Sequence, residues 1–344
     1  DRPVFLKSLI DSFTENGGKF LQATKALSFD DGNGSRCKQG SGKPDIQQKD
    51  CRDNGSKKED TRQKDHRDNN IGMVSTVIQG SGGERSIIRS KIVVGADGPN
   101  SIVGKYIGST NSSYVLGLGE NIPVEAKDKK KTLIFFSPEI EGGYGWLFPK
   151  AGSTNLGIGC QFAQKEKNRT MALKKIYMDF KKKLFSMDLF DFPNDQFNKI
   201  EEVDHARAKG RSGRMPMQLR QGLGAGLIPA SGMLKRTVSG SFILAGDAAG
   251  LTNPITGAGI YNAVLSAKII SGIIPRALNA EDPGLVAMIE KEYKDTFNTS
   301  IRRAVEKRKM LMSGWNSATK PGNKKSFDML IRRCWVSFKD YWRP

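Results

Sequence analysis

Two acid–glycine pairs constrain the fold of this chain more than any other feature. The later pair, Gly246-Asp247, follows the apolar run 241–245 and precedes a loop that contains Gly257 and Gly259. After this loop, apolar residues recur at helical spacing. The pattern predicts a strand, a tight turn and a helix N-terminus, whose free amide groups favour anionic or polar ligand atoms. A carboxylate there either accepts hydrogen bonds from ligand hydroxyls or caps the helix.

The earlier pair, Asp97-Gly98, lies at a second junction of the same kind. It follows a strand candidate at residues 86–94 and precedes a helix predicted from residue 101. Another strand candidate, residues 71–78, is joined to the first by a glycine-rich turn, so the two are predicted to form a hairpin. A single glycine-rich loop is common, but two acid–glycine pairs at strand-to-helix junctions are a much more specific signal.

Residues 31–70 have a different composition from the rest of the chain. Between positions 35 and 69 there are only three apolar residues. Such a segment cannot bury enough surface to offset its ordering entropy, which predicts a disordered, low-complexity insertion. Its two cysteines and one histidine lack the spacing of a metal site, and no metal site is predicted.

Composition and charge narrow the class of protein. With 344 residues, 37% of them hydrophobic, the chain can form two globular domains. The net charge of +19 predicts attraction to an anionic partner. Basic residues are spread along the chain without a nucleic-acid-binding signature, which favours a lipid phosphate surface over nucleic acid. A basic surface that is merely solvated is the alternative. The four cysteines form no CxxC pair, which suits a reducing cytoplasm.

The middle of the chain, residues 114–236, carries an aromatic alternation. Strands are predicted at 132–136, 145–149 and 155–162, and a helix at 170–185. Tyr144, Trp146 and Phe148 alternate, so their side chains point to one face of a strand. This face is either the ordinary apolar side of a sheet or a wall for a long hydrocarbon substrate. At the start of the chain, a capped amphipathic helix is predicted over residues 1–18 and a strand over residues 19–29.

These motifs together resemble those of known flavoproteins. GADGPNS at 95–101 and ILAGDAAGLTNPITGAGI at 243–260 resemble the flavin motifs of the FAD-dependent hydroxylase-like superfamily. YGWLFPK at 144–150 and the NPITGAGI loop are similar to motifs of the geranylgeranyl reductase family, which includes the digeranylgeranylglycerophospholipid reductases. Since no GxGxxG unit precedes Arg2, the chain is expected to be N-terminally truncated and unable to hold FAD tightly by itself.

The resemblance implies an α/β (α+β) fold. It comprises a Rossmann-like FAD/NAD(P)-binding domain lacking its first βαβ unit, an antiparallel-sheet substrate domain and C-terminal helices. The expected domains are a partial FAD-binding domain (1–30, 71–113 and 237–280), the disordered insertion (31–70), a substrate-binding sheet domain (114–236) and a C-terminal helical region (281–344).

The resemblance also implies the site. The expected FAD-binding residues are Arg2, Ala26, Asp97, Gly98, Asp247, Pro254, Gly257, Gly259 and Ile260. The expected substrate-binding residues are Tyr144, Trp146 and Phe148. The catalytic proton donor is left unassigned, with Tyr144 as a candidate.

The implied activity is FAD-dependent reduction of C=C bonds in geranylgeranyl chains of isoprenoid membrane ether lipids, an oxidoreductase reaction on CH–CH groups. Electrons would come from NADPH or reduced ferredoxin. A flavin-dependent monooxygenase of the same superfamily and a non-catalytic isoprenoid- or lipid-binding protein are the alternatives. The implied partners are an isoprenoid lipid and, by peripheral contact, a membrane, with a cytoplasmic, peripherally membrane-associated location.

Overall fold

A computed structural model describes residues 2–32, 72–162, 169–191 and 223–343 of the chain. The predicted disorder of residues 31–70 lies outside this description, apart from the first two positions. Within the described ranges, no helix is both long enough and apolar enough to cross a bilayer.

The strands of the described chain come in runs, and the last three α-helices follow one another. The helices are α1 (Arg2–Glu15), α2 (Ile102–Tyr106), α3 (Arg169–Phe185), α4 (Ile260–Ala280), α5 (Pro283–Ala318) and α6 (Lys324–Cys334). The strands are β1 (Lys25–Asp30), β2 (Val74–Gln79), β3 (Arg85–Ser90), β4 (Val93–Gly95), β5 (Tyr114–Ile122), β6 (Leu133–Phe135), β7 (Tyr144–Lys150), β8 (Ser153–Phe162), β9 (Gly224–Pro229), β10 (Val238–Ser239) and β11 (Phe242–Leu244).

The described strands form three sheets. The first is antiparallel in the order β1-β2-β3, and the second has the order β10-β11-β4, with β11 and β4 parallel. The third is a five-stranded antiparallel sheet in the order β6-β7-β8-β5-β9, built from residues 114–229. The mixed α/β architecture with an antiparallel sheet confirms the predicted fold class, while the division into domains stays a prediction.

The second sheet is the centre of one core. All three residues of β11 are buried, and Tyr293 and Phe297 of α5 pack in the same cluster. The α4–α5 corner is sharply defined: α5 starts with Pro283, and the Asp282 carboxylate accepts a hydrogen bond from Gly284 N at 2.8 Å. Such a cap satisfies an amide that the helix cannot satisfy itself. These helices hold the edge of the second sheet in place.

The third sheet has two different faces. One face packs Leu147, Leu156 and Ile158 against α3 in a second core. That interface also buries an ion pair, in which Lys181 Nζ lies 2.8 Å from Glu120 Oε1. The opposite face carries the aromatic side chains of β7. Because side chains alternate along a strand, the helix covers one set and leaves the other for the site.

The sequence-based element boundaries needed three corrections. The strand predicted at 86–94 is two strands in different sheets, β3 and β4, because the chain leaves the first sheet at Lys91. The strand predicted at 19–29 starts only at Lys25, after a turn in which Ala23 has φ 53°. Neither the central strand β5 nor β9 is predicted by the sequence, because their glycines are poor strand formers.

Candidate functional site

The two acid–glycine pairs leave the same edge of the second sheet. β4 and β11 are parallel neighbours, with Gly95 opposite Leu244. The loops that follow both strands therefore emerge side by side at their carboxyl ends, the edge at which α/β folds place their ligands. The spatial proximity of the Asp97 and Asp247 loops, which the sequence could only suggest, is thus a property of the fold.

A buried asparagine joins these two loops. Asn111 is 5% exposed. Its Nδ2 donates to the Pro99 carbonyl at 3.1 Å and to the Asp247 carbonyl at 3.0 Å. Neither loop could move relative to the other without breaking one of these bonds. No sequence motif includes Asn111, and an asparagine outside any motif carries no signal of which carbonyls it will contact.

Asp97 has a local structural role. Its Oδ2 accepts a hydrogen bond from Ile102 N at 2.7 Å, at the beginning of α2. Next to it, Gly98 has φ 80°, in the left-handed region that favours glycine, and an added Cβ would meet no atom within 4 Å. The loop therefore combines an anchored carboxylate with open space above a glycine.

Asp247 lies in a tighter setting. Its Oδ1 accepts a hydrogen bond from the Thr252 hydroxyl. A Cβ added to Gly259 would lie 2.7 Å from Thr252 Oγ1 and 3.0 Å from Asp247 Oδ1. Only a glycine lets the backbone approach the carboxylate this closely. The acid and the start of α4 are thus held against each other.

The NPITG loop leads into α4 through a compact turn. Asn253 Oδ1 accepts hydrogen bonds from Ile255 N at 2.9 Å and Thr256 N at 3.1 Å, an arrangement asparagine favours in turns. The helix cap is Gly259, which has no side chain to satisfy the first amides. Ile260, at the first position, is 60% exposed. This N-terminus therefore presents backbone donors and an exposed apolar side chain.

The aromatic residues of β7 form a continuous cluster. The ring centroids of Tyr144 and Trp146 are 6.0 Å apart, and those of Trp146 and Phe148 are 6.2 Å apart. Trp335, which follows α6, lies 4.8 Å from Tyr144 and 5.0 Å from Phe136, centroid to centroid. The predicted three-residue wall is therefore extended by residues 136 and 335, which lie too far away in sequence for any spacing rule to include them.

Glycines of the neighbouring strands make room for the Trp146 ring. Gly157 is the cross-strand partner of Trp146, and a Cβ added there would overlap Cζ2 of the indole. A Cβ on Gly119 would lie 3.1 Å from the same atom. The indole is also fixed at its edge, since its Nε1 donates to Asn155 Oδ1 at 2.7 Å. The tryptophan therefore lies against the backbone of the sheet, with a single well-defined orientation.

Tyr144 connects the aromatic cluster to the NPITG loop. Its hydroxyl donates to the Thr256 carbonyl. A Cβ on Gly257 would lie 4.0 Å from that hydroxyl, and Gly257 has φ 66°. Burial raises the pKa of Tyr144 to about 12. The phenol is therefore a neutral hydrogen-bond donor near neutral pH.

A buried arginine ties together three parts of the site. Arg308 of α5 is 5% exposed. Its guanidinium donates to the Gly142 carbonyl before β7, to the Pro254 carbonyl at 3.4 Å and to the Gln161 side chain. Burial lowers its pKa to about 10, an effect opposed by the charge of Glu141. The sequence around it, IRRAVEKRK at 301–309, is rich in basic residues, and nothing in it distinguishes this arginine from exposed ones.

One predicted residue lies apart from this arrangement. Ala26 lies on β1, opposite Ile78, in the first sheet, which packs on the second through Phe29. Arg2 is the first residue of α1, and its side chain lies outside the described part of the structure. The other predicted residues all lie on the two loops, the start of α4 or β7.

We expect Asn111→Ala to weaken the junction of the two loops. Loss of the two bonds that Asn111 donates, and of the one that it accepts from the Ser231 hydroxyl at 3.2 Å, should lower the free energy of unfolding by about 2 kcal/mol. The control is Asn16→Ala, which removes an exposed local bond to Ser12 at the end of α1 and should cost less than about 0.5 kcal/mol. Denaturant unfolding of both variants measures the difference, and equal stabilities would contradict the bridging role.

The fold is similar to that of a flavin-dependent enzyme of known structure. The structure resembles the crystal structure of CmlS, a flavin-dependent halogenase, with a TM-score of 0.53. The likeness covers 98% of this chain and 52% of that one at 16% identity, which relates the folds alone. No protein-family model matches the chain.

Sequence comparison finds relatives with one shared name. The chain is 29% identical over 229 residues to digeranylgeranylglycerophospholipid reductase 2 of Methanococcoides burtonii, covering 65% of this chain and 48% of that protein. It is 28% identical over 239 residues to the digeranylgeranylglycerophospholipid reductase of Methanocaldococcus jannaschii, covering 67% and 53%. The chain spans about half the length of the curated relatives it matches. The resemblance inferred from the motifs is confirmed.

Proposed function

We propose that this chain forms part of an FAD-dependent reductase that saturates C=C bonds in the geranylgeranyl chains of isoprenoid ether lipids. The observation that carries the proposal is the meeting of two elements at the Thr256 carbonyl. The glycine-lined start of α4 ends the flavin-type loop there, and the Tyr144 hydroxyl brings the aromatic face to the same point. The names of the sequence relatives support the substrate class.

The residues present fit a flavin dinucleotide. This fit is supported by the backbone at two glycines. A Cβ added at Gly98 would enter open space, and Gly257 has φ 66°. Both positions allow a bulky ligand to approach the main chain. The Asp247 carboxylate suits ligand hydroxyls, and the uncapped amides of α4 suit an electron-rich ring edge. These groups, with Asp97, Pro254 and Ile260, would hold FAD, while contacts of Arg2 and Ala26 with it stay predictions from the resemblance.

When bound in its reduced form, FAD supplies a hydride to one carbon of the double bond, while a proton must reach the other carbon. The electrons would come from NADPH or reduced ferredoxin. The protein's own part is to orient the chain and exclude water, for which Tyr144, Trp146 and Phe148 offer a rigid apolar wall.

Tyr144→Phe tests whether the hydroxyl serves in positioning or in proton transfer. Loss of the bond to Thr256 should cost about 1 kcal/mol of stability, whereas Tyr261→Phe, at a side chain that is 77% exposed, should cost less than about 0.5 kcal/mol. A positioning role predicts a reduction rate within about tenfold of the unaltered protein. A fall of 100-fold or more, in the range of general acid catalysis, would assign the proton to Tyr144.

The same variant has a defined pH signature. The folded-state pKa of about 12 lies above the ordinary value of 10.0. The unfolded chain therefore ionises first, and this stabilisation is lost as the pH rises from 10 towards 12. Between pH 9 and pH 11 the unaltered protein should lose about 1 kcal/mol more unfolding free energy than Tyr144→Phe. Equal losses in chemical unfolding at the two pH values would contradict the assignment.

The function is tested on protein expressed from its complete reading frame and purified with FAD. With a chemical reductant and a geranylgeranyl ether lipid, mass spectrometry of the extracted lipid should show a gain of two hydrogens per double bond. A gain of oxygen would point to a monooxygenase. An unchanged lipid, with or without bound flavin, would leave a binding protein and overturn the proposal.

Peripheral membrane contact is part of the proposal. The last turn of α6 carries Arg332 and Arg333, and exposed apolar side chains nearby in sequence are Met329, at 59%, and Trp342, at 58%. Cations beside exposed apolar groups favour an anionic lipid surface. Sedimentation with vesicles rich in anionic lipid should carry the protein down at low salt, and recovery in the supernatant would argue against contact.

A further inference from the structure

A cavity of about 540 Å³ lies between α3 and the β6 edge of the third sheet. Its inner wall consists of apolar side chains: Ile134, Phe135, Phe136, Ile176, Phe180 and Leu184. This volume is within the range of about 300 to 1,000 Å³ typical of small-molecule sites. Its lining includes no residue of the two flavin-type loops, and none of these six residues belongs to the predicted site.

The chemistry of the cavity suits a hydrocarbon. Phe180 and Leu184 are buried, and the charged lining residues Glu139, Asp179 and Lys183 are exposed. The polar groups thus lie towards solvent, with the apolar groups further in. A polar ligand would find few partners on the inner wall, because burying an unpaired polar group is unfavourable. An aliphatic chain has no hydrogen bonds with water to lose there, and its binding would remove apolar surface from water.

The cavity shares a wall with the proposed active site. Phe136 lines this cavity and also the small space formed by Tyr144, Ile255 and Trp335. In β6, which ends just before Phe136, Ile134 pairs across the sheet with Trp146, so Ile134 belongs to the aromatic face. Phe136 is therefore the partition between the aromatic cluster and the cavity. A chain lying along the aromatic face would reach the cavity by displacing or passing this ring.

We propose that the α3–β6 cavity binds the distal part of the isoprenoid chain, past Phe136, while another part of the same chain lies on the aromatic face. This inference rests on the proposed function for the identity of the chain. It makes Phe136 and Ile176 specificity-determining residues, since they limit how far the chain can slide. The depth of the cavity then decides which double bonds reach the reacting position.

The direct test is photolabelling of the complete, FAD-loaded protein. The probe is geranylgeraniol with a diazirine at the end remote from the hydroxyl, and the competitor is unlabelled geranylgeraniol. Peptide mapping should find labels on α3 between Ile176 and Leu184, reduced at least fivefold by excess competitor. Labels found only elsewhere, or labels on α3 that resist competition, would overturn the inference.

A matched pair of variants adds a functional readout. Ile176→Trp fills the cavity, whereas Met171→Trp places the same ring on α3 at a position that is 76% exposed. Only Ile176→Trp should lower α3 labelling at least fivefold and cause partly saturated lipid to accumulate. If lipid is reduced without competed labelling of α3, the cavity inference fails and the function stands. If α3 is labelled in competition with geranylgeraniol but the lipid is not reduced, the cavity inference stands and the proposed function fails.

Discussion

Gly157→Ala is expected to destabilise the protein by about 3 kcal/mol, a large effect for one methyl group. The added Cβ would overlap the Trp146 ring and lie 2.6 Å from the Leu118 carbonyl oxygen. The backbone on one side cannot yield, so the indole must leave its position and lose the 2.7 Å bond to Asn155. Denaturant unfolding measures the loss, and a red shift of tryptophan emission should accompany it.

Gly226→Ala is the matched control in the same sheet. Gly226 lies on β9, and an added Cβ there would meet no atom within 4 Å. Its stability should change by less than about 0.5 kcal/mol. The double variant Gly157→Ala with Trp146→Phe should recover part of the loss, because the smaller ring leaves room for the methyl group. If the two glycine variants are equally stable, the proposed contact between Gly157 and the Trp146 ring is wrong.

The packing of Trp146 against Gly157 illustrates what the sequence could and could not predict. The alternation of Tyr144, Trp146 and Phe148 predicted a shared face because strand geometry alone requires it. The need for Gly157 depends on which residue pairs with Trp146, and therefore on the register between β7 and β8. Register is a tertiary property, so the function of Gly157 became clear only from the structure.

The same distinction holds at the two loops. The acid–glycine pairs were found because each motif is local in sequence, and their junctions appear as predicted. Their meeting depends on the parallel pairing of β4 with β11, across about 150 residues of chain. Asn111 and Arg308 were missed for a related reason. Each acts on backbone carbonyls, and every residue has one, so no sequence pattern marks the partner.

Arg308→Met is expected to be the most damaging substitution at the site. Methionine retains much of the side-chain volume, but the Gly142 and Pro254 carbonyls and Gln161 would lose their donor. Leaving buried acceptors unpaired should cost about 3 kcal/mol or more. Arg308→Lys should recover little, because an ammonium group cannot reproduce the planar fork that reaches three acceptors.

Arg302→Met is the control on the same helix. Arg302 has a side chain that is 68% exposed and lies 3.9 Å from Glu306, so its loss should cost less than about 0.5 kcal/mol.

The two variants should also differ in FAD affinity on the complete protein. Since Arg308 holds the Pro254 carbonyl in the loop before α4, its loss should raise the Kd at least tenfold, and Arg302→Met should leave it unchanged. Equal unfolding of both variants would contradict the structural role, whereas a stability loss with unaltered FAD affinity would separate the arginine from the flavin loop.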